Sequence, residues 1–364
     1  MIMDPNFIVK VLLSLIVAAA LAFAVTPLVK RLAQRVGAMD VPKDERRMHK
    51  IPIPRMGGLA IFFAFLIAVL CFAGIDRELR GILLGATIIV VLGILDDILT
   101  LKALPKFAVQ IVAAVIAVLH GCRIEHFMGF RLATWLSYPV SVIWIVAITN
   151  AVNFIDGLDG LAAGISTIAS FFLFIIAFGR GMEETAMLSI ILLGVTLAFL
   201  RYNFTPASIF MGDSGSLLLG AMIGVISLMG VMRSPTVIVL AVPLVIAAIP
   251  IADTAAAIIR RVYHHQPIQQ ADRKHLHHML LRKGYGVRKS VVIVYAWTAL
   301  LGVGAWVMSS THGVAVWAMI AIMLLGSFFI LWRLGIFDQV LRHHYHGRHT
   351  RQEDKPRWYG RHGR

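Results

Sequence analysis

The amino-acid sequence predicts an all-α, polytopic integral membrane protein of about eleven transmembrane helices, with its N-terminus outside and its C-terminus in the cytoplasm. Three observations carry that expectation. Hydrophobic residues fill 59% of 364 positions, mean hydropathy is +0.82 and only 15% of residues are charged, a balance of membrane proteins rather than of soluble domains. The apolar residues gather into runs close to the roughly 20 that a helix needs to cross the hydrocarbon. Basic residues, finally, are concentrated in alternate loops.

In chain order the runs cover about 7–29, 57–75, 80–95, 104–119, 136–149, 161–178, 185–200, 215–232, 236–259, 290–308 and 314–333. The first is expected to remain as a membrane helix: acidic Asp4 precedes it, no small-residue cleavage site ends it, and Lys30 and Arg31 lie beyond it. Cys71 falls in a run and Cys122 in a loop, which supports neither a disulfide framework nor a thiolate metal site. With the N-terminus outside, 27 of the 34 Lys and Arg fall in the segments 30–56, 96–106 and 260–289, at Arg201 and beyond residue 332. The opposite loops keep Arg77, Arg80, Arg123, Arg131, Arg180 and Arg233, with Lys10 near the start of the first run. The positive-inside rule selects this orientation. The net charge of +15 then reads as topology and attraction to anionic lipid, and no soluble recognition domain is there to bind nucleic acid. Residues 1–334 are expected to form the transmembrane domain, with an active site built from five cytoplasmic loops. Residues 335–364 form a basic, histidine-rich tail with few apolar residues, expected to be poorly ordered.

Acidic residues interrupt the apolar pattern on one side only. Asp96 and Asp97 in GILDDILTLK, Asp156 and Asp159 in NAVNFIDGLDG, Asp213 in FMGDSGS and Asp272 in QADRKHLHHML all fall at cytoplasmic ends of runs or in cytoplasmic loops. An ionisable side chain costs roughly 2.5 to 3.5 kcal/mol at the centre of a membrane helix, so such residues mark polar cavities. Any one of them alone is readily a helix cap; so many on one face argue for a site.

Adjacent carboxylates at Asp96 and Asp97 repel by about 3 kcal/mol at roughly 5 Å and an effective dielectric near 20. Either a divalent cation or a nearby Lys or Arg should relieve them, and an all-oxygen set of Asp and Asn suits magnesium or manganese better than zinc. Asp156 and Asp159 share a face if their segment is helical and belong to an Asp-Gly turn if it is not; Gly157, Gly160 and Gly164 permit close approach. Gly212 to Ser216 precede an apolar run, which puts Asp213 at or near a helix N-cap, beside free amides that attract phosphate. Asn203 and Phe210 offer a hydrogen-bonding group and a ring to a nucleobase. The stretch DRKHLHHMLLRKGYG, residues 272–286, lacks the cysteines or carboxylate helix motif of a zinc site, whereas its dense cations and donors suit phosphate oxygens. Acids that require a cation, beside bases that require anions, point to magnesium-assisted phosphate chemistry with a lipid as one substrate.

In PRMGGLAIF (residues 54–62), LDD, NAVNFIDGLDG, FMGDSGS and DRKHLHH, taken in order, the chain resembles the polyprenyl-phosphate N-acetylhexosamine-1-phosphate transferases over about residues 5–333. The undecaprenyl-phosphate GlcNAc-1-phosphate transferases are the nearer branch and the phospho-muramoyl-pentapeptide transferases a relative. The resemblance implies transfer of a sugar 1-phosphate from a UDP-sugar to undecaprenyl phosphate in a bacterial inner membrane, with release of UMP and with magnesium, or manganese in its place, as cofactor. It implies Asp213 as metal ligand with Asp97 and Asp156 beside it, and Asp96 and Asp97 to position or deprotonate the lipid phosphate, either being the base. Asp156 and Asp159 would line the nucleotide and metal site. Asn153, Asn203, Phe210, Lys106 and Arg273 would contact uracil and phosphates, and His275, His277 and His278 the diphosphate or sugar. Lys43, Arg46, Arg47, His49 and Arg55 would join from the first loop. The implied partners are the UDP-sugar, the polyprenyl phosphate and membrane lipids, with a homodimer compatible and nucleic acid excluded. The pentapeptide enzymes typically carry three consecutive histidines followed by an acid where this chain has KHLHHML, which favours a GlcNAc-type sugar. An ion-coupled transporter, the other alternative, predicts acids near mid-span in both halves of a repeat, and no repeat is visible.

Overall fold

The computed structural model describes residues 4–41, 51–127, 130–232, 284–309 and 314–333. The chain enters α1 (Pro5–Val36) through Asp4, whose carboxylate accepts the Asn6 amide at 2.9 Å, with Pro5 where a missing N–H is harmless. Gly37, at φ 74°, ends that helix in the left-handed conformation. A short antiparallel pair, β1 (Met39–Asp40) with β2 (Ile53–Pro54), sets Met39 opposite Pro54 and returns the chain to α2 (Gly57–Phe72). Asp76 caps α3 (Arg77–Leu99) by accepting the Leu79 amide at 2.7 Å. Then follow α4 (Ala103–Leu119), the hairpin of β3 (His126–Phe127) and β4 (Phe130–Arg131), and α5 (Thr134–Ile155). The helices α6 (Leu161–Gly179), α7 (Glu183–Asn203), α8 (Gly212–Met232), α9 (Val287–Ser309) and α10 (Val314–Arg333) complete the described chain.

These helices coincide with ten of the eleven apolar runs; the run at 236–259 and the tail at 335–364 lie outside the described residues. Among the described residues, seven helices are long and apolar enough to cross a membrane, and α2 and α4 are shorter apolar helices. An all-α polytopic membrane protein results.

The axis of the bundle is α8. Of its most apolar stretch 94% is buried inside the protein, against 22% for α1, so α8 is wrapped by protein while much of α1 faces outward. Helices α2, α3 and α5 pack around α8, α1 lies against α2 and α7, and α6 joins α7 to α9. Lipid tails are as apolar as leucine, so close packing must hold such helices together, and small residues make it available. A Cβ on Gly93 of α3 would strike the Ser214 backbone, one on Gly58 of α2 would strike Ser214 and Gly215, and one on Gly220 would lie 2.6 Å from the Thr149 Cα of α5. Across the same α5–α8 seam the Trp144 indole donates to the Ser227 hydroxyl at 3.1 Å.

Gly93→Ala should therefore overpack the α3–α8 contact and cost about 1 to 3 kcal/mol. The melting temperature of the detergent-solubilised protein reads this out, with Gly74→Ala as the control, since a Cβ at Gly74 meets nothing within 4 Å. Equal melting of both variants and the parent protein would contradict the packing described.

Candidate active site

Three carboxylates converge where α3 ends and α8 begins: Asp96 and Asp97 in the last turn of α3, and Asp213 in the first turn of α8. The backbone leading to α8 is stitched to the segment that precedes α2. Phe210 N donates to Pro54 O at 2.8 Å, Gly57 N to Phe210 O at 3.0 Å and Gly58 N to Met211 O at 2.9 Å. Arg55 thereby lies beside Phe210. Its guanidinium reaches Asp97 Oδ1 at 3.1 Å and Asp213 Oδ1 at 2.9 Å.

Asp97 caps α8 from another helix. Its Oδ1 accepts the Asp213 amide at 2.9 Å and its Oδ2 the Ser214 amide at 3.2 Å. The expectation that Asp213 itself lies at or near the N-cap is refined accordingly: Asp213 is within the first turn, and the capping carboxylate is 116 residues away in sequence. Gly212 opens α8 at φ 72°, and a Cβ there would run into the Asp97 carboxylate, so both backbone angle and space require glycine. Lys106, near the start of α4, places Nζ 2.7 Å from Asp96 Oδ2 and 2.6 Å from Asp213 Oδ2. The other Asp96 oxygen accepts the Leu101 amide at 2.7 Å. The repulsion expected of the Asp96–Asp97 pair is thus relieved by side chains, Lys106 for Asp96 and Arg55 for Asp97. Desolvation lowers the Arg55 pKa, but Asp97, Asp213 and Asp156 more than reverse it and hold the guanidinium charged.

The second half of the site lies past the end of α5. That helix stops at Ile155 and residues 156–160 turn into α6, with Gly160 at φ 78°, so of the two readings the Asp-Gly turn holds and Asp156 and Asp159 share no helical face. Asp159 braces the segment before α8: its Oδ2 accepts the Ala207 amide at 3.0 Å and its carbonyl the Thr205 hydroxyl at 3.4 Å. No hydrogen bond to the Asp156 carboxylate is present among the described residues. Desolvation pushes the Asp156 carboxyl up to about 7, and Asp213, Asp97 and Asp159 act in the same direction against Arg55. Asn153 donates to the Ser216 hydroxyl at 2.8 Å, crossing from α5 to α8. Asn203 is 3% exposed and donates to Ile209 O at 3.0 Å, while its Oδ1 has no partner among the described residues.

The structure therefore brings together Arg55, Asp96, Asp97, Lys106, Asp156 and Asp213, with Asn153, Asp159 and Asn203 bracing the elements that carry them. Lys43, Arg46, Arg47, His49, Arg273, His275, His277 and His278 lie outside the described residues. Two contributors were not singled out from the sequence: Ser216, and Gln110, whose Oε1 accepts the Asn150 amide at 2.6 Å. Gln110 carried a faint signal as a polar residue inside an apolar run, and Ser216 stood in the FMGDSGS motif with no role of its own assigned. Four carboxylates, those of Asp96, Asp97, Asp156 and Asp213, face the cations of Arg55 and Lys106. Among the described residues the cluster is short of positive charge, and all its acidic donors are oxygens, a set that fits magnesium or manganese.

A carboxyl raised in the folded state binds its proton more tightly than in the unfolded chain, so its contribution to stability falls as pH rises from the ordinary carboxylate range towards about 7. The EDTA-treated protein should lose melting temperature as pH rises from the ordinary carboxylate range to about 7, and Asp156→Asn should remove part of that slope. Superimposable slopes for parent and variant would contradict the placement of Asp156.

Residues 79–231 match the family model described as glycosyl transferase family 4. The chain is 41% identical over 341 residues to a Bacillus subtilis (strain 168) protein named probable undecaprenyl-phosphate N-acetylglucosaminyl 1-phosphate transferase, covering 92% of this chain and 91% of that one. It is 35% identical over 327 residues to a decaprenyl-phosphate N-acetylglucosaminephosphotransferase of Mycolicibacterium smegmatis, covering 79% of each. A phospho-N-acetylmuramoyl-pentapeptide-transferase of Clostridium botulinum is 31% identical over 290 residues, covering 72% of this chain and 85% of that one. With the motifs in order and likeness of this extent, the chain belongs to the glycosyl transferase family 4 of polyprenyl-phosphate N-acetylhexosamine-1-phosphate transferases.

Proposed function

We propose that the protein transfers GlcNAc-1-phosphate from UDP-GlcNAc to undecaprenyl phosphate, releasing UMP, at the cytoplasmic face of a bacterial inner membrane. The observation that carries this reading is a cluster of acids and cations at one end of the bundle with exposed apolar side chains at its edge. Leu99 and Leu104, which flank the Lys106 region, are 63% and 79% exposed. A phosphate held at Lys106 can keep its apolar tail in the bilayer while its head reaches the carboxylates. The names of the relatives agree with both substrates, and the basic loops on this side of the sequence favour the cytoplasmic face.

Arg55 and Lys106 each bridge two carboxylates, so incoming phosphate oxygens compete with Asp96, Asp97 and Asp213 for the same cations. Asp97 is committed to the amides of α8. Asp96, freed from Lys106 by an arriving phosphate, is the better placed of the two to orient the lipid phosphate or take its proton. A magnesium ion would be held by Asp213, Asp97 and Asp156 and would supply charge neutralisation for the diphosphate and the departing UMP. Lys106 and Arg55 then hold the two anionic substrates against each other, so positioning and electrostatics carry the rate. A transporter reading gains no support, because these acids sit at helix ends rather than at mid-span.

Purified protein with undecaprenyl phosphate and magnesium should release UMP from UDP-GlcNAc, and EDTA should stop it. UMP only from UDP-MurNAc-pentapeptide would move the chain to the pentapeptide branch. Asp213→Asn should lower turnover by at least about 10²-fold, the scale of removing one preorganised electrostatic group, without lowering the melting temperature comparably; unchanged turnover would remove Asp213 from the site. Lys106→Ala should raise the KM for undecaprenyl phosphate and lower kcat, with Lys106→Arg recovering part of both.

A further inference from the structure

Away from the carboxylates, a groove of about 600 Å³ opens at the same end of the bundle, between the last turn of α7 and the first turn of α9. Its polar side is formed by Arg201, Arg288, Thr205 and Ser208, and its apolar side by Leu197 and Phe204. Both arginines are exposed. Arg288 Nε donates to Thr205 O at 3.1 Å, which orients the guanidinium and leaves its terminal nitrogens without a partner among the described residues. Among the described residues neither arginine pairs with a carboxylate. Leu197 lies one turn before Arg201 on the same face of α7 and is 54% exposed, so the groove runs from a cationic rim onto surface that faces acyl chains.

None of the clustered carboxylates lines this groove. The segment that forms its wall is held from the other side by Asp159, through Ala207 N and the Thr205 hydroxyl, which separates the groove from the catalytic cluster. Two guanidinium forks are the donors that a phosphodiester takes, while the Thr205 and Ser208 hydroxyls donate to Asp159 O and Tyr202 O. A soluble anion would make no use of the apolar wall beneath them, whereas a lipid uses both.

We propose that this groove binds the headgroup phosphate of an anionic phospholipid of the phosphatidylglycerol class, drawn from the leaflet at this end of the bundle. The lipid bridges α7, the segment leading to α8 and α9. Binding is read independently of turnover and does not rest on the reaction proposed above.

The full chain is extracted from vesicles of equal parts phosphatidylglycerol and phosphatidylcholine, and the retained lipid is quantified by mass spectrometry. The parent protein should be enriched in phosphatidylglycerol, and the Arg201→Gln/Arg288→Gln variant should lose at least about fivefold of that enrichment, the scale expected for a basic residue at an anionic surface. The double lysine variant should keep most of it. Enrichment unchanged in the glutamine variant would overturn the proposal. Arg201→Gln alone, a change at an exposed side chain, gives the same readout if the double variant folds poorly. In detergent, added phosphatidylglycerol should raise the melting temperature of the parent protein and not of the glutamine variant. An equal rise from soluble glycerol phosphate would overturn the lipid assignment in favour of a plain anion site.

Discussion

The Asp97 carboxylate, fully removed from solvent, takes the amides of Asp213 and Ser214 at the start of α8 and the guanidinium of Arg55. A carboxylate withdrawn from water in a helix bundle is costly unless its charge is met on all sides. Here it is met by two otherwise orphaned helix amides, the positive end of α8 and one arginine. The same contacts determine where Asp213 points, why residue 212 is glycine and where the backbone before α2 must run. A change at Asp97 would be felt in each of those places, because they share one acceptor.

Close approach of α3 and α8 is what allows that acceptor to reach. Gly93 and Gly58 press against the backbone of the first turn of α8, and further along Gly220 presses against Thr149. In a bilayer, where leucine-rich surfaces gain nothing by leaving lipid for protein, such contacts must supply the association energy. The glycines and the carboxylates therefore form one arrangement: without the first, the acids of three segments would not share a space. Among the described residues their convergence leaves four carboxylates facing two cations, an imbalance that a further cation would offset.

Much of this was legible in the chain. The apolar runs located ten helices, since a membrane span must satisfy its own backbone and be long enough to cross, though they ended α1 seven and α5 six residues early. The motif aspartates were legible because carboxylates are too costly near hydrocarbon to be incidental. What could not be read was direction. Asp156 and Asp159, alike in sequence, diverge: the Asp156 carboxylate accepts no hydrogen bond among the described residues, and Asp159 ties down the Thr205–Ala207 backbone. Asn203, expected to meet a nucleobase, also donates to Ile209 O and so braces the segment before α8.

The sequence by itself determined the class of protein, its helical segments, its oxygen-rich acids and the family likeness, because hydropathy, charge and short motifs are local properties. Only the tertiary structure decided that Asp97 caps α8, that Lys106 bridges Asp96 and Asp213, and that Arg55 reaches Asp97 across the segment at Phe210. Each of those contacts joins residues remote in sequence, or turns on which way a helix end faces, and such contacts exist only once the helices have packed.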